Sequence, residues 1–416
     1  MRIVVIGAGV VGVAAAWALR RAGAEIIVVE AREGPALETS FANAGHLAVA
    51  SGPWAAPDVP GKLLRWLGQE DAPLLVRLRW DPTLWRWGLR FLANCTARAH
   101  EENARAIGTL AQLSFNETIR LRGELAIADD VNREGVLTLY RDPRALAAAE
   151  KKRDRLAAQG IAAELLDRNG MVAREPALAA AADRYAGALF AADAETADCR
   201  AFTLALAAEA ERRGVVFRFR TRVAEILVEG GRARGVALAG GERVAADAVV
   251  LAAGPWSVRL ALRLGLRLPI YPGKGYSVTV PIAGRNGAPR HAVIDEADKV
   301  YVARFGERLR IAGTLELAGF DPTPSPARAA ATLERLRRLF PDGGDYARAE
   351  HWTGLRPMTP DGRPLIGATS IRGLWLNTGH GPLGWTLACG SALLLASLLA
   401  GSPPPIDATP FAPSRF

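Results

Sequence analysis

An α/β fold with two interleaved domains is what this sequence predicts, and three observations predict it. Residues 2–30 run strand, glycine turn, helix, strand. Residues 270–315 alternate in strand fashion, with a helical segment at 325–340 behind them. The stretches 200–254 and 352–400 then return to strands and glycine-rich turns. At 416 residues the chain is long enough for two domains, because single cores rarely grow past roughly 250–300 residues.

Each element follows from its pattern. RIVVI at 2–6 is a continuous apolar run of the kind a buried parallel strand needs, the alanine-rich 10–22 is a helix, and EIIVVE at 25–30 is the second strand of a βαβ unit. From about 57 to 190 tryptophan-rich segments (Trp66, Trp80, Trp85, Trp87) alternate with amphipathic helices, clearest at 101–122 and 144–159. Residues 200–213 read as a helix, 215–219 as a strand, 223–229 and 232–239 as a hairpin, and 247–252 as a strand ending near Gly254. A strand at 373–377 and an apolar helix at 385–400 close the pattern. The chain therefore leaves the first domain and re-enters it twice.

Half of the residues are hydrophobic and 23% are charged, an ordinary globular balance. The net charge of +9 comes mostly from arginine, but no basic block interleaved with aromatics is present, so nucleic acid is excluded as a partner. An arginine-rich surface explains the charge, and peripheral contact with the inner face of the cell membrane is the second reading. Cys95, Cys199 and Cys389 are far apart and odd in number, which argues against disulfides and a metal cluster and fits the cytoplasm. The apolar N-terminus carries glycines in a phosphate-binding pattern rather than a signal peptide's layout. Ala388–Ala400 is shorter than the roughly 20 residues of a membrane span.

The first chemical motif is Gly7-Ala8-Gly9-Val10-Val11-Gly12, between a strand and a helix. Gly7 permits the tight turn, Gly9 lets the backbone approach a pyrophosphate, Gly12 lets helix and strand pack, and the helix N-terminus offers free N–H groups. Glu30 ends the second strand, 18 residues after Gly12, where a carboxylate can accept both ribose hydroxyls. Arg32, two residues on, either reaches the adenosine side or is a solvated surface arginine. The loop Thr39-Ser40-Phe41-Ala42-Asn43-Ala44-Gly45-His46 is small and polar, and its hydroxyl and amide groups can bond to a pyrophosphate and to the edge of a flavin ring. An enzyme using NAD would have no need of it so early, so FAD is the expected cofactor. AVVLAAGPW at 248–256, WTGLRPMTPDGRPLIG at 352–367 and NTGHGPLGWT at 377–386 repeat the theme of close backbone approach.

Together, GAGVVG, TSFANAG, WTGLRPMTPDGRPLIG and NTGHGPLGWTLACG resemble the D-amino acid oxidase superfamily, and within it the bacterial D-amino acid dehydrogenase small, catalytic subunit type. The resemblance covers nearly the whole chain. It implies a Rossmann-type FAD-binding domain of the glutathione-reductase kind at 1–47, 191–270 and 350–416, and an α+β substrate domain with a large mixed sheet at 48–190 and 271–349. It implies oxidation of D-amino acids to 2-oxo acids and ammonia by hydride transfer from the α-carbon to flavin N5, with electrons passing to a respiratory or quinone-type acceptor.

Carried over residue by residue, Arg356 matches the arginine that clamps the substrate carboxylate, and a guanidinium fork suits that role. Tyr271 and Tyr276 of YPGKGYS sit where the strand enters the active site, although either could be core, and His380 of the terminal glycine turn is placed near the ring. The cofactor contacts expected are Gly7, Gly9, Val10, Val11, Gly12, Glu30, Ala31, Arg32, Ser40, Asn43, Ala44, Gly45, His46, Val223, Ala253, Gly254, Trp256, Gly354, Gly379, Gly381, Leu383, Gly384 and Thr386. His46 departs from the neutral amide-type residue common after that glycine. No metal site is expected, and no general base is required. The alternatives are an oxidase or dehydrogenase of glycine, sarcosine or D-hydroxyproline, and a non-catalytic FAD-holding subunit.

Overall fold

Strand Arg2–Ile6 is the hub of a six-stranded sheet, paired in parallel with Glu25–Val29 on one side and Ala248–Leu251 on the other. In this computed structural model, which describes residues 1–416 apart from 50, 51, 67, 78, 159 and 193, Val216–Arg218 extends the sheet at one edge. Leu374–Thr378 and then Leu365–Ala368 extend it at the other. Helix Val10–Arg21 packs on this sheet with Cys199–Arg212 and the closing helix Gly384–Ala400 in one apolar cluster. The hairpin Val223–Glu229 and Arg232–Leu238 turns through Gly230 and Gly231 at φ 55° and 71°, a two-residue turn that favours glycine at both positions.

The second sheet has nine strands and mixed directions. Its order from one edge is Glu350–Met358, Tyr271–Pro281, Arg308–Leu317, Val300–Phe305, Ala292–Asp295, Val136–Tyr140, Gly187–Ala191 and Ala163–Asp167, with Leu74–Val76 added beside Arg308–Leu317. Strand Glu350–Met358, which the sequence groups with the last nucleotide-binding segment, pairs with Tyr271–Pro281 along its whole length and so belongs to this sheet. A two-stranded link, His46–Leu47 with Glu195–Thr196, joins the two halves.

Other differences have local causes. The helix expected at 101–122 runs from Ala97 to Glu124, started by the Thr96 hydroxyl accepting from the Ala99 N–H. It packs on the closing helix so closely that a Cβ on Gly390 would lie 2.8 Å from the Leu110 carbonyl oxygen. The segment 144–159 forms two helices, Pro143–Ala148 and Glu150–Ala158, because the buried turn at Ala149 redirects Leu156 onto Tyr140 and Leu189; residue 159 lies outside the described residues. The last helical run spans Gly381–Ala400, 20 residues with mean hydropathy 1.8, which is longer than the apolar run in the sequence suggests. It is long and apolar enough to cross a membrane, yet 61% of its 18-residue apolar window is buried against the protein, as in a core helix.

Candidate functional site

A cavity of about 660 Å³ opens where the carboxyl ends of the parallel strands face the nine-stranded sheet. Its floor is the first glycine turn. Gly7 has φ +106°, and a Cβ there would lie 2.7 Å from the Ala252 carbonyl oxygen, while one on Gly12 would lie 2.0 Å from the Gly7 carbonyl oxygen. Gly12 therefore holds the helix against the turn without lining the cavity, and Gly7, Gly9, Val10 and Val11 line it. The Ser40 hydroxyl accepts from the Val10 N–H at 3.0 Å, taking one of the free donors of the helix start.

Glu30 also lines the cavity. Its carboxylate accepts from the Ala8 N–H at 2.7 Å and the Arg32 N–H at 2.8 Å, which fixes it with acceptor capacity to spare. Ala31 and Arg32 follow it on the wall, Arg32 being matched by Glu38. Val223, Ala253, Gly254 and Trp256 form the opposite side, where Arg259 sits over the Trp256 ring at 4.9 Å. Asn43, Gly381 and Gly384 line the other end with His380 and Arg356.

The remaining expected residues stand behind the wall. Ala44, Gly45, His46, Gly354, Gly379, Leu383 and Thr386 do not line the cavity. Several are held in one knot: Trp385 donates to the Gly45 carbonyl at 3.2 Å and Thr386 to the His46 carbonyl at 3.0 Å, so the closing helix fastens the 39–47 loop. Neither phenol reaches the cavity. Tyr271 donates to Asp81 and packs on Trp87, and Tyr276 donates to buried Glu316. Tyr276 directly follows Gly275 in the strand, so the pleat sends it to the face away from Gly275 and Arg356. Burial and these carboxylates push both phenols above their ordinary range.

Arg356 is held from one side only. Its guanidinium donates to the Thr314 carbonyl at 2.7 Å and to the Gly313 carbonyl at 3.5 Å, and among the described residues it has no carboxylate partner. Thr314 has φ +51° within a strand whose register shifts opposite Lys274 and Tyr276, a bulge that turns these carbonyls toward the arginine. Gly275 makes the room: a Cβ there would lie 2.5 Å from Arg356 Cζ. Burial without a counter-charge pushes the guanidinium down to about 10, still cationic at neutral pH.

His380 shares a hydrogen bond of 2.9 Å with Ser391, and burial pushes it down to about 3. His46 is held down to about 3 by burial and by nearby Lys152. Both imidazoles are neutral.

Sequence reasoning missed Asn377. It lines the cavity, its residue is fully buried, and neither its amide nitrogen nor its amide oxygen has a partner among the described residues. A buried amide left unpaired costs roughly 1–3 kcal/mol, so this pair of groups is placed for a ligand. Its position just ahead of the glycine turn of NTGHG is the signal available in the sequence. With the tight glycine turn, the fixed Glu30 carboxylate and the open helix N-terminus, these residues fit FAD. Thr378, Arg222, Arg259 and Trp385 are further lining residues not foreseen.

The family model "DAO: FAD dependent oxidoreductase" matches residues 2–398. Curated relatives include a D-amino acid dehydrogenase of Paramagnetospirillum magneticum, 48% identical over 100% of this chain and 99% of the relative. Another D-amino acid dehydrogenase, from Rhizorhabdus wittichii, is 46% identical over the full length of both. Among solved structures, glycine oxidase from Geobacillus kaustophilus superposes with a TM-score of 0.74 at 25% identity, covering 100% of this chain and 99% of that one. L-proline dehydrogenase from P. horikoshii, with a TM-score of 0.76 at 18% identity over 100% and 97% of the two chains, shares the fold.

Proposed function

We propose, on the premise that this chain belongs to the DAO family of FAD-dependent oxidoreductases, that it is a dehydrogenase of D-amino acids, converting them to 2-oxo acids and ammonia. The observation that carries this reading is Arg356: a cation at the cavity wall, gripped by two carbonyls and lacking any carboxylate partner among the described residues. An α-carboxylate completes its fork and fixes the orientation of Cα.

Gly7, Gly9, Val10, Val11, Glu30, Ser40, Asn43 and Asn377 would hold FAD, which when bound supplies a two-electron acceptor for the hydride leaving Cα. The chain's own part is to bind and orient. The neutral substrate amine forms the C=N bond with its lone pair as the Cα–H bond breaks, so no side chain need take a proton there. Neutral, buried His380 and His46 accordingly serve as fixed dipoles and packing rather than as bases. The imino acid released hydrolyses in water.

Turnover requires an electron acceptor, and we assign it to a respiratory, quinone-type molecule at the membrane. Helix Pro82–Ala93 buries Leu84, Trp87 and Phe91 and exposes Trp85 (48%) and Leu89 (70%) beside Arg86 and Arg90, with Trp80 93% exposed just before it. Exposed aromatics among cations that form no salt bridge within the described residues suit an anionic bilayer surface, which supports a position at the inner face of the cell membrane. Cosedimentation with anionic vesicles should fall at least fivefold on Trp80→Ser with Leu89→Ser; equal binding by both proteins rejects the assignment.

Arg356→Leu tests the catalytic reading. Losing a charge-assisted fork costs about 2–5 kcal/mol, so KM for D-alanine should rise at least about thirtyfold with FAD still bound. An unchanged KM would indicate a subunit whose flavin serves another purpose.

A further inference from the structure

We propose that Arg259 sets the charge selectivity of the cavity: it stands at the substrate end as a cation with no counter-charge and disfavours D-amino acids whose side chains are cationic. The inference rests on the D-amino acid reading above and names a restriction on the side chain that this reading leaves open.

The cavity lining places Arg259. Together with Trp256 and Pro322, it lines the same cavity as Arg356. The Pro322 carbonyl accepts from the Thr353 hydroxyl at 2.5 Å, and Thr353 lies three residues before Arg356 on one strand. The turn Gly254–Trp256 packs against that strand from the opposite side of the cavity. Both sides of the mouth therefore meet at the carboxylate clamp.

Aromatic rings fix the guanidinium there. It lies 4.9 Å from the centroid of Trp256 and 4.2 Å from that of Phe320, and the two rings are 5.1 Å apart. A planar, delocalised cation suits such stacking. Phe320 belongs to the loop 318–325, which has a firm base: Arg79 donates to the Ala318 carbonyl at 2.6 Å and Lys274 to the Thr323 carbonyl at 2.7 Å.

Nothing among the described residues offsets the charge. Asp321, next to Phe320, accepts from the Thr323 N–H at 2.9 Å and makes no ion pair with Arg259. The two carboxylates that line the cavity belong to the nucleotide end, Glu30 on the first glycine turn and Glu38 on Arg32. A cationic side chain whose α-carboxylate is on Arg356 thus meets a second guanidinium and no anion. At an effective dielectric constant of about 20, two like charges within about 10 Å weaken binding on the order of tenfold, and an uncharged side chain escapes this. Specificity then comes from an element that repels the wrong substrate. Arg259 is exposed, so salt screens the effect.

The test is steady-state kcat/KM with an artificial quinone acceptor for D-norleucine and D-lysine, which differ only in the terminal ammonium. The FAD-loaded enzyme should prefer D-norleucine at least about tenfold at low ionic strength, and about 0.5 M salt should narrow that preference. Arg259→Gln should narrow it at least about threefold by raising kcat/KM for D-lysine, whereas Arg259→Lys, which keeps the charge, should retain it. An arginine that only supports the fold would slow both substrates alike in Arg259→Gln, and that result overturns the proposal, as does a wild-type enzyme indifferent to the ammonium. If D-norleucine is oxidised and its lead over D-lysine is the same in Arg259→Gln as in the wild type, only this inference falls. If no D-amino acid, D-alanine included, reduces the flavin, the proposed function falls and the selectivity with it.

Discussion

Gly275→Ala probes the carboxylate clamp without touching it. The added Cβ would lie 2.5 Å from Arg356 Cζ, against 3.4 Å or more for ordinary contact, so the guanidinium must retreat by about 0.9 Å. The obstacle is the far end of a flexible side chain rather than backbone, and Gly275 lies in a strand without positive φ, so the fold absorbs the change at small cost. Catalysis does not absorb it, because misplacing a reacting or orienting group by about 1 Å costs on the order of 100-fold. The expected result is a fall of about 100-fold in kcat/KM for D-alanine, with FAD content and melting temperature near those of the wild type. The assay is steady-state turnover with an artificial quinone, alongside flavin absorbance and thermal melting. Wild-type turnover by this variant would refute the idea that Arg356 must sit where Gly275 leaves room for it.

Asn377→Leu should weaken FAD binding by about 10-fold or more while leaving the apoprotein at least as stable, since it removes a buried amide that has no protein partner; equilibrium dialysis with FAD and urea melts of the apoprotein measure both, and unaltered affinity would exclude the amide from the FAD site. The two buried imidazoles set an acid limit. With both held at about 3 against 6.5 in the unfolded chain, the unfolded state binds more protons below 6.5, so stability falls as pH drops from 6.5 toward 3, by about 1.4 kcal/mol per pH unit for each histidine. Urea midpoints at pH 7, 6 and 5 should show His380→Gln losing stability with a slope shallower by about that amount; parallel slopes would place His380 in water.

The βαβ unit was legible because its constraints are local. Gly7, Gly9 and Gly12 stand at fixed spacing between one strand and one helix, Gly12 packs against Gly7 in the same turn, and Glu30 follows at the end of the next strand. The closing helix was equally plain from its composition, though its full length was not, because the turn Gly381–Leu383 winds straight into it. Arg356 came from a motif, and its lack of a counter-charge could be seen only once Thr314 and Gly313 were placed beside it. Tyr271 and Tyr276 show what motif transfer loses. The strand is where it was expected, but partners 190 and 40 residues away in the chain, Asp81 and Glu316, draw each hydroxyl away from the cavity. Asn377 was invisible for the converse reason: what marks it is the absence of a partner, which no sequence pattern records.

Mixing the FAD-loaded protein with D-alanine or with L-alanine in the absence of oxygen, and following the flavin absorbance, puts the assigned chemistry to its most direct trial. The D-enantiomer should bleach the yellow colour within the mixing experiment and release pyruvate and ammonia, while the L-enantiomer leaves the spectrum as it was. A spectrum that neither enantiomer alters, or that both alter at the same rate, would contradict the assignment.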